Sequence, residues 1–115
     1  MISAVVGATT NASKYGYKVV KHLLDIGEDV VPVNPKGGNL MGLEVYPDLA
    51  SIPDGVDRVI FVVPPKVTEK VLEDVKALEI KEVWMQPGSE SQAAVDYCEE
   101  NGIKCVRACI MTHEK

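Results

Sequence analysis

The chain has no apolar run approaching the ~20 residues that cross a bilayer, and no basic segment precedes Ile2, so it carries neither a membrane span nor a signal-peptide pattern. The expected location is the cytoplasm. It also has no basic excess: the formal charge of -5 argues against non-specific nucleic-acid binding, which needs a concentrated positive surface to neutralise phosphates. A phosphorylated small molecule stays open, because local lysines and helix N-termini bind anions inside acidic proteins. Cysteine is scarce: Cys98, Cys105 and Cys109 form no CxxC, which argues against a disulfide scaffold and a Cys-rich zinc site. No His-rich or carboxylate-rich cluster suggests another metal. There is no GxxxxGK[ST] loop for ATP hydrolysis and no complete GxGxxG for a dinucleotide. Repeats, linkers and low-complexity tracts are absent too. At 115 residues, 46% hydrophobic and 25% charged, residues 1–115 read as one globular domain.

What is present is an alternation of strand and helix signals. The apolar run Ile2–Val6 ends at Gly7 and gives way to small and hydroxyl residues before an amphipathic segment that begins at Tyr15. Val19, Val20, Leu23 and Leu24 make its apolar stripe, with His22 on the solvated side and Gly27 as its stop. Asp29–Val33 is a second strand, and Pro32 places it near a sheet margin because proline has no ladder donor. Asn34–Gly42 is too glycine-rich to be regular throughout. Glu44–Tyr46 is a short edge strand, followed after Pro47 by a turn or two of helix through Ser51. Asp57–Val63 is the most strand-like run, Lys66–Leu78 a helix, Glu82–Gln86 a strand, Glu90–Asn101 a helix and Lys104–Arg107 a last strand. The pattern predicts an α/β, Rossmann-like doubly wound and mostly parallel sheet of five or six strands with helices on both faces. Such an order gathers the loops after Val6, Val33, Val63 and Gln86 at one carboxyl edge.

Two of those loops carry anion chemistry. Gly7 permits close backbone approach, the helix start after it offers free amide donors, and Lys14 and Lys18 add positive charge. Asn34-Pro35-Lys36-Gly37-Gly38 follows its strand directly with an amide, a fixed backbone angle, a cation and two permissive residues. Taken alone, each is equally an ordinary turn with solvated lysines. Asn34 stands where a nicotinamide dinucleotide site favours an acidic ribose ligand.

Taken together, Gly7-Ala8-Thr9 with Lys14-Tyr15-Gly16-Tyr17, Val33-Asn34-Pro35-Lys36-Gly37, Tyr46-Pro47 with Leu49, Phe61-Val62-Val63-Pro64-Pro65, and Trp84-Met85-Gln86-Pro87-Gly88 resemble the CoA-binding domain family. The likeness is to its compact single-domain form, and more distantly to the N-terminal CoA-binding domain of succinyl-CoA ligase alpha subunits. The resemblance implies CoA as ligand. Gly7, Ala8, Thr9 and the helix start would approach the pyrophosphate, and Asn34, Pro35 and Lys36 the adenosine and ribose-phosphate side. Val63 and Pro64 would flank the nucleotide or pantetheine, with Gln86 and Gly88 near the outgoing arm. Lys14 would attract phosphate, and Tyr15 or Tyr17 would present a ring and a hydroxyl. The chain has no room for the domain that supplies the ligases' phosphorylated histidine, and two glycines follow Lys36 where those enzymes have a second lysine. CoA or acyl-CoA binding without catalysis is the leading expectation.

The alternatives are a small CoA-dependent or thiol-redox enzyme using Cys109 or His113, a nicotinamide-dinucleotide module, and a ligand-free protein interaction domain. Cys98 and Cys105 read as packed core thiols, while Cys109 is the thiol that the closing segment brings toward the ligand arm, open to a mixed disulfide with CoA if accessible. Self-association as a homo-oligomer suits a small domain with an exposed sheet edge, with no pattern fixing the interface.

Overall fold

A computed structural model describes residues 1–113, the side chain of His113 excepted. Strand β1 (Ile2–Val6) leads through a loop into helix α1 (Tyr15–Asp25), and β2 (Asp29–Val33) follows. A hairpin of β3 (Gly38–Leu40) and β4 (Leu43–Val45) and a 3-10 turn (Leu49–Ser51) precede β5 (Arg58–Phe61). The chain then alternates through α2 (Pro65–Ala77), β6 (Glu82–Met85), α3 (Gln92–Glu100), β7 (Lys104–Arg107) and the single turn α4 (Ile110–His113).

Five strands form one parallel sheet in the order β2-β1-β5-β6-β7. The chain turns outward from β1 to β2 and then crosses back to β5, so the order reverses beside β1. This is the doubly wound Rossmann-like sheet that the alternation predicts.

Strand side chains alternate between two cores because their period is two. Ala4, Val6, Val59, Phe61, Val83 and Met85 meet Leu72 and Val75 of α2 and Ala94 and Cys98 of α3 on one face. On the other, Val5, Ile60 and Trp84 meet Val19, Val20 and Leu23 of α1, Ile110 of α4, and Leu40 and Val45 of the hairpin. Trp84 and Met85 therefore pack opposite faces. Gly27, at φ +85°, leaves α1 through the left-handed conformation expected of its stop.

Two local expectations are corrected. The short strand near Glu44–Tyr46 is Leu43–Val45 and pairs with Gly38–Leu40 as a separate antiparallel hairpin, so it is not a sixth member of the sheet. Tyr46 instead caps the margin of β2: its N–H donates to the Pro32 carbonyl at 3.0 Å and its carbonyl accepts from Asn34 N–H at 2.9 Å. Pro32 thus sits on the outermost strand, with its carbonyl used. His22, read as solvated, is half-buried in the last turn of α1, at the sheet end away from the loops of interest. The closing segment, which has no legible period, forms α4 because Ile110 is driven into the core.

Among the described residues no helix is long and apolar enough to cross a membrane. None of their His, Cys, Asp and Glu side chains group in threes as a metal would require.

Candidate functional site

The site is built on the close packing of two glycines. Gly7 ends β1 at φ +103°, and a Cβ there would collide with the Val62 carbonyl. Gly16, in the first turn of α1, leaves no room for a Cβ beside the Gly7 carbonyl. The start of α1 is thereby pressed onto the end of β1. The intervening loop is folded by its own polar groups: Thr9 Oγ1 accepts from Asn11 N–H at 3.2 Å, and Asn11 Oδ1 accepts from Ser13 N–H and its hydroxyl at 3.1 and 2.7 Å. Lys14 occupies the helix N-cap without a side-chain cap bond. The amides of the first turn are therefore a positive end available to an anion.

Asn34 joins this loop to the next. Its Nδ2 donates to the Ala8 carbonyl at 2.8 Å, while its Oδ1 accepts from Lys36 N–H at 2.9 Å. Gly37 N–H closes the turn onto the Asn34 carbonyl at 2.8 Å. An aspartate here would face the Ala8 carbonyl with no proton to give, which accounts for the missing acidic ribose ligand.

Three adjoining clefts run along the carboxyl edge. The first, about 170 Å³, is lined by Ala8, Thr9, Thr10, Asn34, Lys36 and Gly37, with the hairpin residues Leu40 and Val45 as its apolar floor. The second, about 260 Å³, shares Asn34 and adds Gly7, Pro35, Val63 and Leu49, with Val67 and Val71 of α2. Asp48 and Asp74 also line it, and their negative charge opposes phosphate there. The third is an open, largely apolar groove of about 590 Å³ between Tyr15, Val63, Pro64, Pro65, Pro87 and Gly88.

Most of the residues singled out in the sequence are therefore neighbours. Gly7, Ala8, Thr9, Tyr15, Asn34, Pro35, Lys36, Val63, Pro64 and Gly88 each line at least one of the clefts. Lys14 lines none and lies exposed at the helix cap. Tyr17 packs against the core face covered by α1. Gln86 is buried, and its carboxamide is spent on the closing segment: Nε2 donates to the Ala108 carbonyl and Oε1 accepts from Ile110 N–H, both at 3.0 Å.

That clamp brackets Cys109, whose Sγ lies 3.1 Å from the Tyr15 hydroxyl. The hydrogen bond to Cys109, with some burial, raises the Tyr15 phenol above its ordinary value. Cys109 is half-buried and free. The His113 side chain lies outside the described residues, and with it the pairing of Cys109 with His113.

One residue escaped the sequence reading, and another was read without its reason. Ser89 is buried and its Oγ accepts from Val63 N–H at 3.0 Å, tying the loop after β6 to the loop after β5. A hydroxyl directly after Pro87-Gly88 was its only signal. Gly16 appeared within the Tyr-Gly-Tyr motif, yet only its packing on Gly7 explains why it is glycine.

A family model described as a CoA binding domain matches residues 2–115. Acetate–CoA ligase [ADP-forming] I of Archaeoglobus fulgidus is 30% identical over 115 residues, covering 91% of this chain and 17% of the ligase. The alpha subunit of acetate–CoA ligase [ADP-forming] I of Pyrococcus furiosus is 39% identical over 77 residues, covering 62% of this chain and 17% of the subunit. The chain thus spans less than a fifth of the length of these two relatives. A solved structure of a conserved hypothetical protein from Pyrococcus furiosus superposes with a TM-score of 0.91 at 38% identity, covering 96% of this chain and 97% of that one. These relatives correct the more distant part of the resemblance: it runs to ADP-forming acetate–CoA ligases, not specifically to succinyl-CoA ligase alpha subunits.

Proposed function

Because the chain belongs to the CoA binding domain family, we propose that it binds CoA or acyl-CoA reversibly along its carboxyl edge and performs no chemistry by itself. The observation that carries this reading is the first cleft: Lys36 and the hydroxyl residues Thr9 and Thr10 line the same space beside an uncapped helix start. That combination suits a ligand with several phosphate oxygens, because a cation, hydroxyl donors and helix amides all favour negative charge.

CoA is long and chemically uneven, and the three clefts differ in the same way. Lys36 with Thr9 and Thr10 would hold phosphate. Pro35, Leu49, Val67 and Val71 would take the flat adenine, with Asp48 and Asp74 accepting hydrogen bonds from its amine or from ribose hydroxyls. The groove between Val63, Pro64 and Gly88 would take the pantetheine arm, and Tyr15 with Cys109 would stand beside it. Gln86 acts in this scheme by positioning the segment that carries Cys109. The bound thiol or thioester supplies the ligand's reactive chemistry, and the residues named here bind and orient it.

Native mass spectrometry of the purified protein with CoA, an acyl-CoA and NAD, with and without a reductant, tests the proposal. Retention of CoA or acyl-CoA over NAD is expected. A preference for NAD would overturn the ligand assignment. No binding at millimolar concentration, where a dissociation constant corresponds to only about -4 kcal/mol, would favour an interaction domain with an empty crevice. Turnover that disappears on Cys109→Ser while CoA affinity remains would overturn the non-catalytic reading.

A further inference from the structure

On the sheet face opposite α1, three sulfur-bearing residues come together. Met85 of β6 and Cys98 of α3 are fully buried in one core cluster, and Cys105 of β7 packs half-buried against it. The Cys105 thiol lies 3.8 Å from Met85 Sδ. The turn between the two cysteines is tightly fixed: Ile103 N–H donates to the Cys98 carbonyl at 2.9 Å, and Asn101 Nδ2 donates to the Tyr97 carbonyl at 2.8 Å. The end of α3 is therefore tied to the start of an edge strand, and the Cys98 and Cys105 side chains meet in one core cluster.

The pair is chemically unequal. Hydrogen bonding from Cys98 lowers Cys105 to about 7, aided by Arg107 and opposed by burial and by Glu99. The same contact, with burial, raises Cys98 and keeps it protonated. Cys105, half-buried on the edge strand, is thus the thiol favoured toward its ionised form, while Cys98 has no exposed surface.

We propose that Cys98 and Cys105 form a peroxide-sensitive dithiol, a modification site that closes to an internal disulfide joining α3 to β7. The Cys105 thiolate attacks one oxygen of hydrogen peroxide. The O–O bond breaks, the departing hydroxide takes a proton and leaves as water, and Cys105 becomes a sulfenic acid, its sulfur oxidised by two electrons. The Cys98 sulfur then attacks the Cys105 sulfur, the S–O bond breaks, and the hydroxyl leaves with the Cys98 proton as a second water. Two thiols and one peroxide give one disulfide and two waters. A small oxidant suits a half-buried target, and a thiol reduces the product by exchange. The site is separate from the carboxyl-edge clefts, so it stands or falls independently of CoA binding.

The test is mass spectrometry of the wild-type chain treated with hydrogen peroxide, denatured and alkylated. A monomer lacking two hydrogens and two of its three alkylations is expected, with dithiothreitol restoring all three. Tryptic cleavage after Lys104 separates the cysteines, so the link appears as residues 82–104 joined to residues 105–107. In Cys98→Ala the sulfenic acid is expected to persist on Cys105 and to be captured by dimedone. Should that variant fail to fold, Cys105→Ser on the edge strand decides: it is expected to form no link and to leave Cys98 unmodified. Oxidation confined to Cys109 or Met85, a link through Cys109, or peroxide reaction at Cys98 in Cys105→Ser would overturn the proposal.

Discussion

The two ends of the parallel sheet use polar groups in opposite ways. At the amino end they neutralise one another. Arg58, only 1% exposed, donates from Nε to Ser3 Oγ at 2.7 Å, pairs with Glu28 at 3.3 Å, and lies 5.5 Å from the centre of the Trp84 ring. Trp84 in turn donates to Glu82 at 2.8 Å, and Glu82 pairs with Lys104 at 3.7 Å. At the carboxyl end the polar bonds fasten loop to loop: Asn34 to Ala8, Ser89 to Val63, and Gln86 to the segment around Cys109. Among the described residues neither Lys14 nor Lys36 has an ion-pair partner. One end spends its charges on folding, whereas the other spends amides and hydroxyls on shape and leaves its cations at the rim.

The largest expected effect tests the amino end. Arg58→Ala removes one partner of a buried pair and leaves Glu28 and Ser3 without it, a change that costs about 3–5 kcal/mol. Denaturant unfolding should show the loss, while CoA affinity of the remaining folded protein stays within twofold by the order-of-magnitude argument that distant sites act independently. A selective loss of affinity would break the division between the two ends.

Gly7→Ala tests the junction where shape and stability meet. The new Cβ meets the Val62 carbonyl and the backbone must hold φ near +103°, so a destabilisation of about 2–3 kcal/mol is expected. Affinity should fall together with thermal stability, because the same collision displaces the loop that carries Ala8 and Thr9. Unchanged affinity in calorimetry would remove Gly7 from the site.

The contrast between the ends also explains what could be read in advance. The five strands of the parallel sheet and the three long helices were legible because each rests on a local period, and Pro32 marked the sheet margin. Gly7, Asn34-Pro35-Lys36 and Val63-Pro64 stood out because turn chemistry is written in single residues. The links between distant segments were not. Nothing in the local pattern says that Gln86, which ends a strand like a cleft residue, is buried under residues 108–110. Nor does Arg58, which reads as a polar strand start, announce a position beneath Trp84. The first hairpin strand was missed, and the second misplaced by a residue, because each is three residues long and Gly37, Gly38 and Gly42 leave no usable alternation.

Ser89→Ala sharpens the carboxyl-end half. It leaves the Val63 N–H without its acceptor in a half-buried place, at a cost of about 1–2 kcal/mol. If Ser89 only fixes loop shape, the loss should appear in melting temperature and in a modestly faster release of CoA. A large affinity loss with no change in stability would instead make the hydroxyl a direct ligand contact.

Lys36→Met should leave the melting temperature unchanged, because the Lys36 side chain is exposed and holds no ion pair, and its backbone N–H bond to Asn34 survives the substitution. Its effect belongs to the ligand. Losing one charge-assisted hydrogen bond, roughly 1.5 kcal/mol, weakens CoA binding about tenfold. Salt screens an exposed cation, so the gap between variant and wild type should shrink as ionic strength rises. Dephospho-CoA separates two locations for that contact. If Lys36 serves the ribose phosphate, the variant and wild type bind dephospho-CoA equally; if it serves the pyrophosphate, the tenfold gap persists with either ligand. Equal CoA affinity at low salt would mean that Lys36 is as solvated as an amino-end surface lysine, and the contrast between the two ends would then rest on the loop amides alone.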